Sequence, residues 1–174
     1  MNNIIKKIVL IVDDDDLVRT QLSKELKRNF FNILQANTGN KALEVFQNNK
    51  VDIALLDIRL QDYDGLELLK SFKSIKPECE VIVITGYGTQ DIAIQSLRYG
   101  AIDYIEKPII DDELSAAIGR ALERLTKREE LSYKNTLLIV DDEDDITKRL
   151  LKFFSKENFE VFCANSGKAA LEII

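Results

Sequence analysis

The 174-residue sequence has little cysteine and no long hydrophobic run. Its two cysteines, Cys79 and Cys163, lie far apart and no motif surrounds either, a pattern typical of reduced core thiols rather than of a disulfide or a metal site. The first apolar run, at residues 8–12, is followed at once by four aspartates and is too short for a signal peptide or a membrane span. These absences predict a soluble cytoplasmic protein without a membrane segment.

Positively charged residues are also fewer than negatively charged ones. The chain carries 24 Lys and Arg against 30 Asp and Glu, a net charge of −6. A surface that binds nucleic acid needs a basic face to neutralise phosphates, so we expect no nucleic-acid contact by this chain. With 45% hydrophobic residues the sequence can bury one full core and has some length left over.

Short apolar runs alternate with longer amphipathic segments. The run at residues 8–12 predicts a strand buried on both faces, as in a parallel sheet. Five such alternations within the first two thirds of the chain call for right-handed crossovers and helices on both faces of one sheet. The predicted strands are 8–12, 33–36, 53–56, 81–85 and 102–105, and the predicted helices are 16–29, 40–49, 66–74, one ending at 99 and one beginning near 111. The predicted fold is α/β, a doubly wound five-stranded parallel sheet of flavodoxin type.

Polar residues stand at the carboxyl ends of the predicted strands, where such sheets bind ligands. They are Asp13 and Asp14 after the first strand, Asp57 after the third, Thr85 after the fourth and Lys107 after the fifth. Three close carboxylates repel one another unless a cation lies among them, and hard oxygen ligands suit Mg²⁺. An ammonium and a hydroxyl suit phosphoryl oxygens. The sequence therefore predicts a crevice for a phosphoryl group, with Asp57 as the nucleophile.

Each of these residues also has an ordinary structural explanation. Aspartates at the start of a helix are often caps, and Asp57 taken alone is typical of a turn. Likewise, Thr85 alone is typical of a strand end and Lys107 of the surface. Their joint placement at successive strand ends favours the functional interpretation.

Residues 6 to about 122 resemble the receiver domains of two-component response regulators. The similarity rests on the pieces Ile11-Val12-Asp13-Asp14-Asp15, Leu55-Leu56-Asp57 with Asp64-Gly65 after it, Ile84-Thr85-Gly86, Gly100-Ala101, and Asp103-Tyr104-Ile105-Glu106-Lys107-Pro108. Residues 85–89 look most similar to receivers of the NtrC type. The resemblance implies a signalling switch in which Asp57 takes a phosphoryl group from a histidine kinase or phosphotransfer protein. Because the chain has no histidine, it cannot be its own phosphohistidine donor.

The resemblance also implies a metal ion. It places Mg²⁺ on the carboxylates of Asp13, Asp14 and Asp57 and on the backbone carbonyl of Arg59. It further implies a cis peptide between Lys107 and Pro108.

A change of shape on phosphorylation is implied as well. In such domains the hydroxyl at Thr85 turns toward the phosphate and the aromatic ring at Tyr104 turns inward. This movement alters the face formed by the fourth helix, the fifth strand and the fifth helix. A homodimer through that face is one expected arrangement.

Three alternatives compete with the receiver interpretation. A phosphatase of the haloacid dehalogenase type needs a second aspartate two residues after its nucleophile, where this chain has Arg59. A nucleotide-binding domain needs a glycine-rich loop that the segment Gly86-Tyr87-Gly88 does not supply. A non-phosphorylated pseudo-receiver, acting as a protein interaction module, remains the alternative. We expect no enzymatic activity beyond the domain's own phosphotransfer and dephosphorylation, and we expect Arg59 and Tyr87 to slow the attack of water on the phosphorylated aspartate.

The first part of the sequence is repeated after residue 135. The segment Leu138-Ile139-Val140-Asp141-Asp142-Glu143 repeats the first strand and its acidic pair at an offset of 128 positions, the distance from Asp13 to Asp141. Without a gap, Ala164-Asn165-Ser166-Gly167 then matches Ala36-Asn37-Thr38-Gly39. We therefore predict a receiver domain over residues 1–122, a helical linker over 123–135 that continues the fifth helix, and the N-terminal portion of a second receiver over 136–174.

This partial repeat stops short of a second phosphoacceptor. The aspartate equivalent to Asp57 would fall at position 185, which is 128 beyond Asp57, so Asp57 is predicted to be the sole phosphorylation site. The simplest expectation is a piece of a longer protein with tandem receivers, and a natural truncation stays open. The bare sheet edge of the repeat predicts packing against something else, with a homodimer through the repeat as one arrangement.

Overall fold

The computed structural model describes residues 6–29, 31–86, 89–132, 135–157 and 159–173. The chain divides into two compact units after Thr126, and the fifth helix continues past this division to Ser132. The predicted receiver boundary was residue 122, inside the same helix.

The first unit contains one five-stranded parallel sheet with helices between its strands. The strands are β1 (Ile8–Val12), β2 (Asn32–Ala36), β3 (Ile53–Leu56), β4 (Glu80–Thr85) and β5 (Asp103–Glu106). The helices are α1 (Asp16–Arg28), α2 (Gly39–Asn48), α3 (Gly65–Ile75), α4 (Gln90–Arg98) and α5 (Asp111–Ser132). The strand order is β2-β1-β3-β4-β5, which confirms the predicted flavodoxin-like sheet.

The central strands are apolar throughout because both faces of the sheet are covered. All four residues of β3 are buried, as are the last four of β1. Alternate side chains of these strands point to opposite faces, so two separate cores form. One core holds Phe46 and Phe72, whose stacked rings lie 4.0 Å apart, and the other holds the apolar stripe of α5 that includes Leu114 and Ile118.

Two helices begin one residue earlier than predicted because of their caps. Thr38 and Asp64 each accept a hydrogen bond from a backbone N–H in the first turn, which places the following glycine inside the helix. At Gly65 no larger residue fits, since an added Cβ would lie 2.4 Å from Cα of Ile58 and 2.7 Å from the carbonyl oxygen of Asp57. The glycine thus lets α3 start directly against the end of β3.

The second unit is a partial βα repeat. Its elements are β6 (Asn135–Val140), α6 (Asp144–Phe154), β7 (Phe159–Ala164) and α7 (Gly167–Leu171), and β6 pairs with β7 in parallel. Helix α6 buries none of its residues, although it is strongly amphipathic. None of the helices in the described ranges has both the length and the apolar character needed to cross a membrane.

The two cysteines occupy different environments. Both thiols are free, as predicted, but only Cys79 is in the core. Cys163 lies in β7 and is exposed, so the prediction of two core thiols is wrong for it. Among its described residues the second unit contains the two strands β6 and β7, and this small sheet leaves Cys163 exposed.

Candidate functional site

The strand ends of the first unit bring three carboxylates together. Asp13 follows β1 and Asp57 follows β3, and these strands are direct neighbours in the sheet. One carboxylate oxygen each of Asp13, Asp14 and Asp57 lies within 4.8 Å of the other two. Within the described ranges, no other group of three or more such side chains has its oxygen, nitrogen or sulfur atoms this close together.

Lys107 links two of the three carboxylates. Its Nζ atom donates to Oδ2 of Asp57 at 2.6 Å and to Oδ2 of Asp13 at 2.7 Å. Asp13 and Asp57 are only 2% and 6% exposed, and Lys107 is half-buried. A single ammonium therefore balances part of the negative charge of a largely buried acidic cluster.

Burial dominates the electrostatics of this cluster. It raises the pKa of the Asp13 carboxyl, even though hydrogen bonds from Lys107 and from the backbone of Asp15 oppose the effect. Burial also works against the charged form of Lys107, but its hydrogen bonds to Asp13 and Asp57 outweigh this and raise the pKa of the ammonium. Lys107 is therefore charged, because two carboxylates share its ammonium.

The backbone fixes both acidic strand ends. The N–H of Asp57 donates to the carbonyl of Val12 at 2.8 Å, which continues the β1–β3 ladder past the end of β3. Oδ1 of Asp57 accepts from the N–H of Arg59 at 3.0 Å, and Oδ1 of Asp13 accepts from the N–H of Asp15 at 2.9 Å. Each of these two carboxylates thus has one oxygen held by the backbone and the other by Lys107.

Thr85 and Tyr104 lie on the neighbouring strands β4 and β5. Thr85 is fully buried, and its carbonyl accepts from the N–H of Lys107 at 2.9 Å. Tyr104 is half-buried and packs against the core that contains Phe46, and burial raises the pKa of its hydroxyl. The peptide between Lys107 and Pro108 is cis. Tyr87 lies outside the described residues.

Two supporting residues escaped the sequence analysis. Arg19 of α1 is 8% exposed and donates from Nη1 to the carbonyl of Asp13 at 2.6 Å. The signal was an arginine between Val18 and Leu22 on the apolar stripe of a helix, where a charged residue needs a partner. Asp62 accepts from the N–H of Gly39 at 2.8 Å, and this hydrogen bond lowers the pKa of its carboxyl. That contact crosses 23 positions, so no local pattern could have indicated it.

Comparisons with known proteins agree with this geometry. Residues 9–119 match the family model of the response regulator receiver domain. The chain is 37% identical over 130 residues to the regulatory protein AtoC of Escherichia coli, covering 75% of this chain and 28% of AtoC. It is 39% identical over 114 residues to a cyclic di-GMP phosphodiesterase of Thermotoga maritima, covering 66% of this chain and 30% of that protein. The chain thus spans less than a third of the length of these curated relatives.

A solved structure extends the similarity to three dimensions. The receiver domain of NtrX from Brucella abortus superposes with a TM-score of 0.63 at 35% identity, covering 66% of this chain and 98% of that one. Relatives of NtrC type are therefore among the matches, as the segment at residues 85–89 indicated.

Proposed function

The chain belongs to the response regulator receiver family, and on that basis we propose that it is a phosphorylation-dependent switch of a two-component system. Receiver domains are in general signalling domains rather than enzymes. In this proposal Asp57 accepts the phosphoryl group of a phosphohistidine on a histidine kinase or phosphotransfer protein. The observation that carries the proposal is the ammonium of Lys107, 2.6 Å from the Asp57 carboxylate inside a cluster of three acidic residues.

The surroundings of Asp57 suit a nucleophile. Its carboxylate stands at the carboxyl end of a buried strand, with Oδ1 held by the N–H of Arg59. In the transfer, the N–P bond of the phosphohistidine breaks and an O–P bond to Asp57 forms. Lys107 balances the charge that accumulates on the phosphoryl oxygens, and the hydroxyl of Thr85 donates to one of them.

The acidic cluster fits Mg²⁺. Its donors are hard carboxylate oxygens that converge within 4.8 Å, and three carboxylates that share the single ammonium of Lys107 keep a net negative charge that attracts a cation. The residues that would hold the ion are Asp13, Asp14 and Asp57, with the backbone carbonyl of Arg59. When bound, Mg²⁺ supplies positive charge to the phosphoryl oxygens.

The proposed switch runs through Thr85 and Tyr104. Thr85 is buried, and its carbonyl accepts from the N–H of Lys107; in the proposed switch its hydroxyl turns toward a phosphoryl group on Asp57 and vacates space in the interior. The half-buried Tyr104 then turns inward to fill that space. This movement changes the face formed by α4, β5 and α5, which we propose as the surface for a partner or for a homodimer. We also propose that the protein is cytoplasmic and that this chain does not contact nucleic acid.

Acetyl phosphate tests the assignment of Asp57. In the presence of Mg²⁺ we expect one phosphoryl group per chain by intact-mass measurement, and none after chelation of the metal. Asp57→Asn should abolish the adduct. Asp112→Asn, an equally conservative change of an exposed aspartate in the first turn of α5, should retain it. If the unmodified protein forms no adduct, the proposal fails and a non-phosphorylated interaction module is the better description.

A further inference from the structure

The second unit reproduces the opening of the first in its strand register. In the first unit Leu10 is paired with Leu34 and Val12 with Ala36. Shifted by 128 positions, these become Leu138 with Phe162 and Val140 with Ala164, and both pairs are present between β6 and β7. A register shift of one residue would have turned every side chain to the opposite face, so the agreement is specific.

The loops after the strands agree as well. The N–H of Asp141 donates to the carbonyl of Ala164 at 3.0 Å, as the N–H of Asp13 donates to that of Ala36 at 3.2 Å. Oδ1 of Asp141 accepts from the N–H of Glu143 at 2.8 Å, the counterpart of the 2.9 Å bond from Asp15 to Asp13.

The helix that follows the second strand starts in the same way in both units. Ser166 caps α7 by accepting from the N–H of Ala169, as Thr38 caps α2 by accepting from that of Lys41. The repeat is therefore structural, and it covers two strands, two helices and the cap of the second helix. The cap of the first helix is not repeated, because Glu143, the counterpart of Asp15, makes no side-chain cap hydrogen bond.

What differs is burial. Val12 is 1% exposed and its counterpart Val140 is 47% exposed. Leu22 is 3% exposed and its counterpart Leu150 is 36% exposed. In the first unit Leu22 packs in a core with residues of β3, β4 and α5, which have no counterparts among the described residues of the second unit. The apolar surface of the second unit is thus the surface that the rest of a receiver covers.

We infer that the second unit is the first half of a second receiver, and that the free edge of β6 binds the third strand of a receiver-type segment. The first unit shows the chemistry of that occupant, because its equivalent edge, Val9–Val12, pairs in parallel with the apolar strand Ile53–Leu56. Among the described residues β6 pairs with β7 alone. The occupant is therefore an apolar parallel strand that ends in an aspartate, followed by two further strands and helices that cover α6.

The chain itself provides the probe for a test. Residue 174 corresponds to residue 46, so a second copy of residues 47–126 appended after residue 174 continues the repeat in frame and places an aspartate at position 185 and a lysine at position 235. With Asp57→Asn in the first unit, position 185 becomes the one available phosphoacceptor. We expect amide hydrogen exchange of residues 135–140 to slow at least about tenfold relative to the unextended chain.

The phosphorylation readout rests on the proposed function, whereas the exchange readout does not. With acetyl phosphate and Mg²⁺ we expect one phosphoryl group on the extended chain, and Asp141→Asn should remove it without restoring fast exchange. As a matched control, the same extension with Gly and Ser in place of the four residues copied from β3 should leave exchange fast. Unreactive Cys79 in every variant shows that the first unit is folded.

The outcomes separate the two ideas. Slow exchange supports the inference whether or not position 185 is phosphorylated, because the proposed function concerns Asp57 and is tested separately on the unmodified protein. Fast exchange in the extended chain overturns the inference. So does protection of residues 135–140 in an unextended chain that sediments as a dimer, because a second copy would then be the natural occupant of the edge.

Discussion

The ammonium of Lys107 and the carboxylate of Asp57 lie 2.6 Å apart, joined across a crevice between strands that are not neighbours in the sheet. The same ammonium binds Asp13 at 2.7 Å. Lys107 therefore occupies oxygens of the cluster that also fits Mg²⁺. The carboxylates that would bind Mg²⁺ are thus the same ones that hold the ammonium of Lys107 beside the phosphorylation site.

Removing the ammonium should have opposite effects on metal binding and on phosphorylation. In Lys107→Met the cluster loses one positive charge, so we expect Mg²⁺ to bind roughly tenfold more tightly, about 1.4 kcal/mol. Adduct formation from acetyl phosphate should slow by about 100-fold, since the transferred group loses its counter-charge. Titration calorimetry and the rate of adduct formation measure the two effects.

The control for this change is Lys41→Met, which removes an ammonium that pairs with Glu44 at 2.9 Å on the surface of α2. It should change neither quantity. Weaker Mg²⁺ binding in Lys107→Met would contradict the competition between the two cations.

Two glycines should respond in opposite ways to alanine. At Gly65 the added methyl would lie 2.4 Å from Cα of Ile58, so Gly65→Ala should lower the free energy of unfolding by about 1 to 3 kcal/mol. Gly119 lies within α5 with nothing inside 4 Å of the added methyl, so Gly119→Ala should raise it by about 0.5 to 1 kcal/mol. Urea unfolding followed by circular dichroism measures both, and a loss of stability at Gly119 would refute the open space assigned to it.

The two thiols should differ in reactivity. Burial raises the pKa of the Cys79 thiol to about 12, so at pH 8 it is both inaccessible and protonated. Labelling of the native protein with an aromatic disulfide reagent at pH 8 should therefore modify one thiol, Cys163, and labelling in denaturant should modify two. Cys163→Ser should show none in the native state and one when unfolded. Rapid native labelling of that variant would show that Cys79 is accessible.

Arg59 should prolong the life of the phosphorylated state. Its side chain is exposed next to Asp57, and its backbone N–H binds the carboxylate at 3.0 Å. We expect Arg59→Asn to increase the rate of dephosphorylation several-fold, because a smaller side chain leaves water a wider path to the phosphorus. Arg59→Lys preserves length and charge and should stay near the original rate. Equal rates in all three proteins would remove Arg59 from this role.

Much of the fold follows from local sequence. The strands β1 and β3 were predicted with their observed bounds, since continuous apolar runs bounded by aspartates leave little choice. The first residues of α2 and α3 were missed because glycine is a poor helix former, and only the caps Thr38 and Asp64 bring it into the helix. The convergence of Asp13, Asp57 and Lys107 was predictable because parallel strands all end at one edge.

The remaining features depend on contacts between distant positions. The hydrogen bond from Arg19 to the carbonyl of Asp13 requires the packing of α1 on β1, and the bonds from α2 to Asp62 require two loops to meet. The exposure of Cys163 depends on how many strands the second unit has, which the composition of β7 does not reveal. Local sequence patterns thus predict where the site lies, whereas the hydrogen bonds of Arg19 and Asp62 depend on tertiary packing.

The shared register of β1–β2 and β6–β7 creates a competition during folding. An unfolded chain offers β3 two nearly identical partners, since Leu10-Ile11-Val12 and Leu138-Ile139-Val140 have the same sequence. Pairing Ala54 with Leu10 closes a loop of 44 residues (10 to 54), and pairing it with Leu138 would close one of 84 (54 to 138). That difference in loop entropy favours the native pair by only about 0.6 kcal/mol. During synthesis, however, β1 and β3 leave the ribosome before β6, so folding from the N-terminus favours the native pairing of β1 with β3. Chains in which β3 has paired with β6 should therefore accumulate mainly when the full-length protein refolds from denaturant.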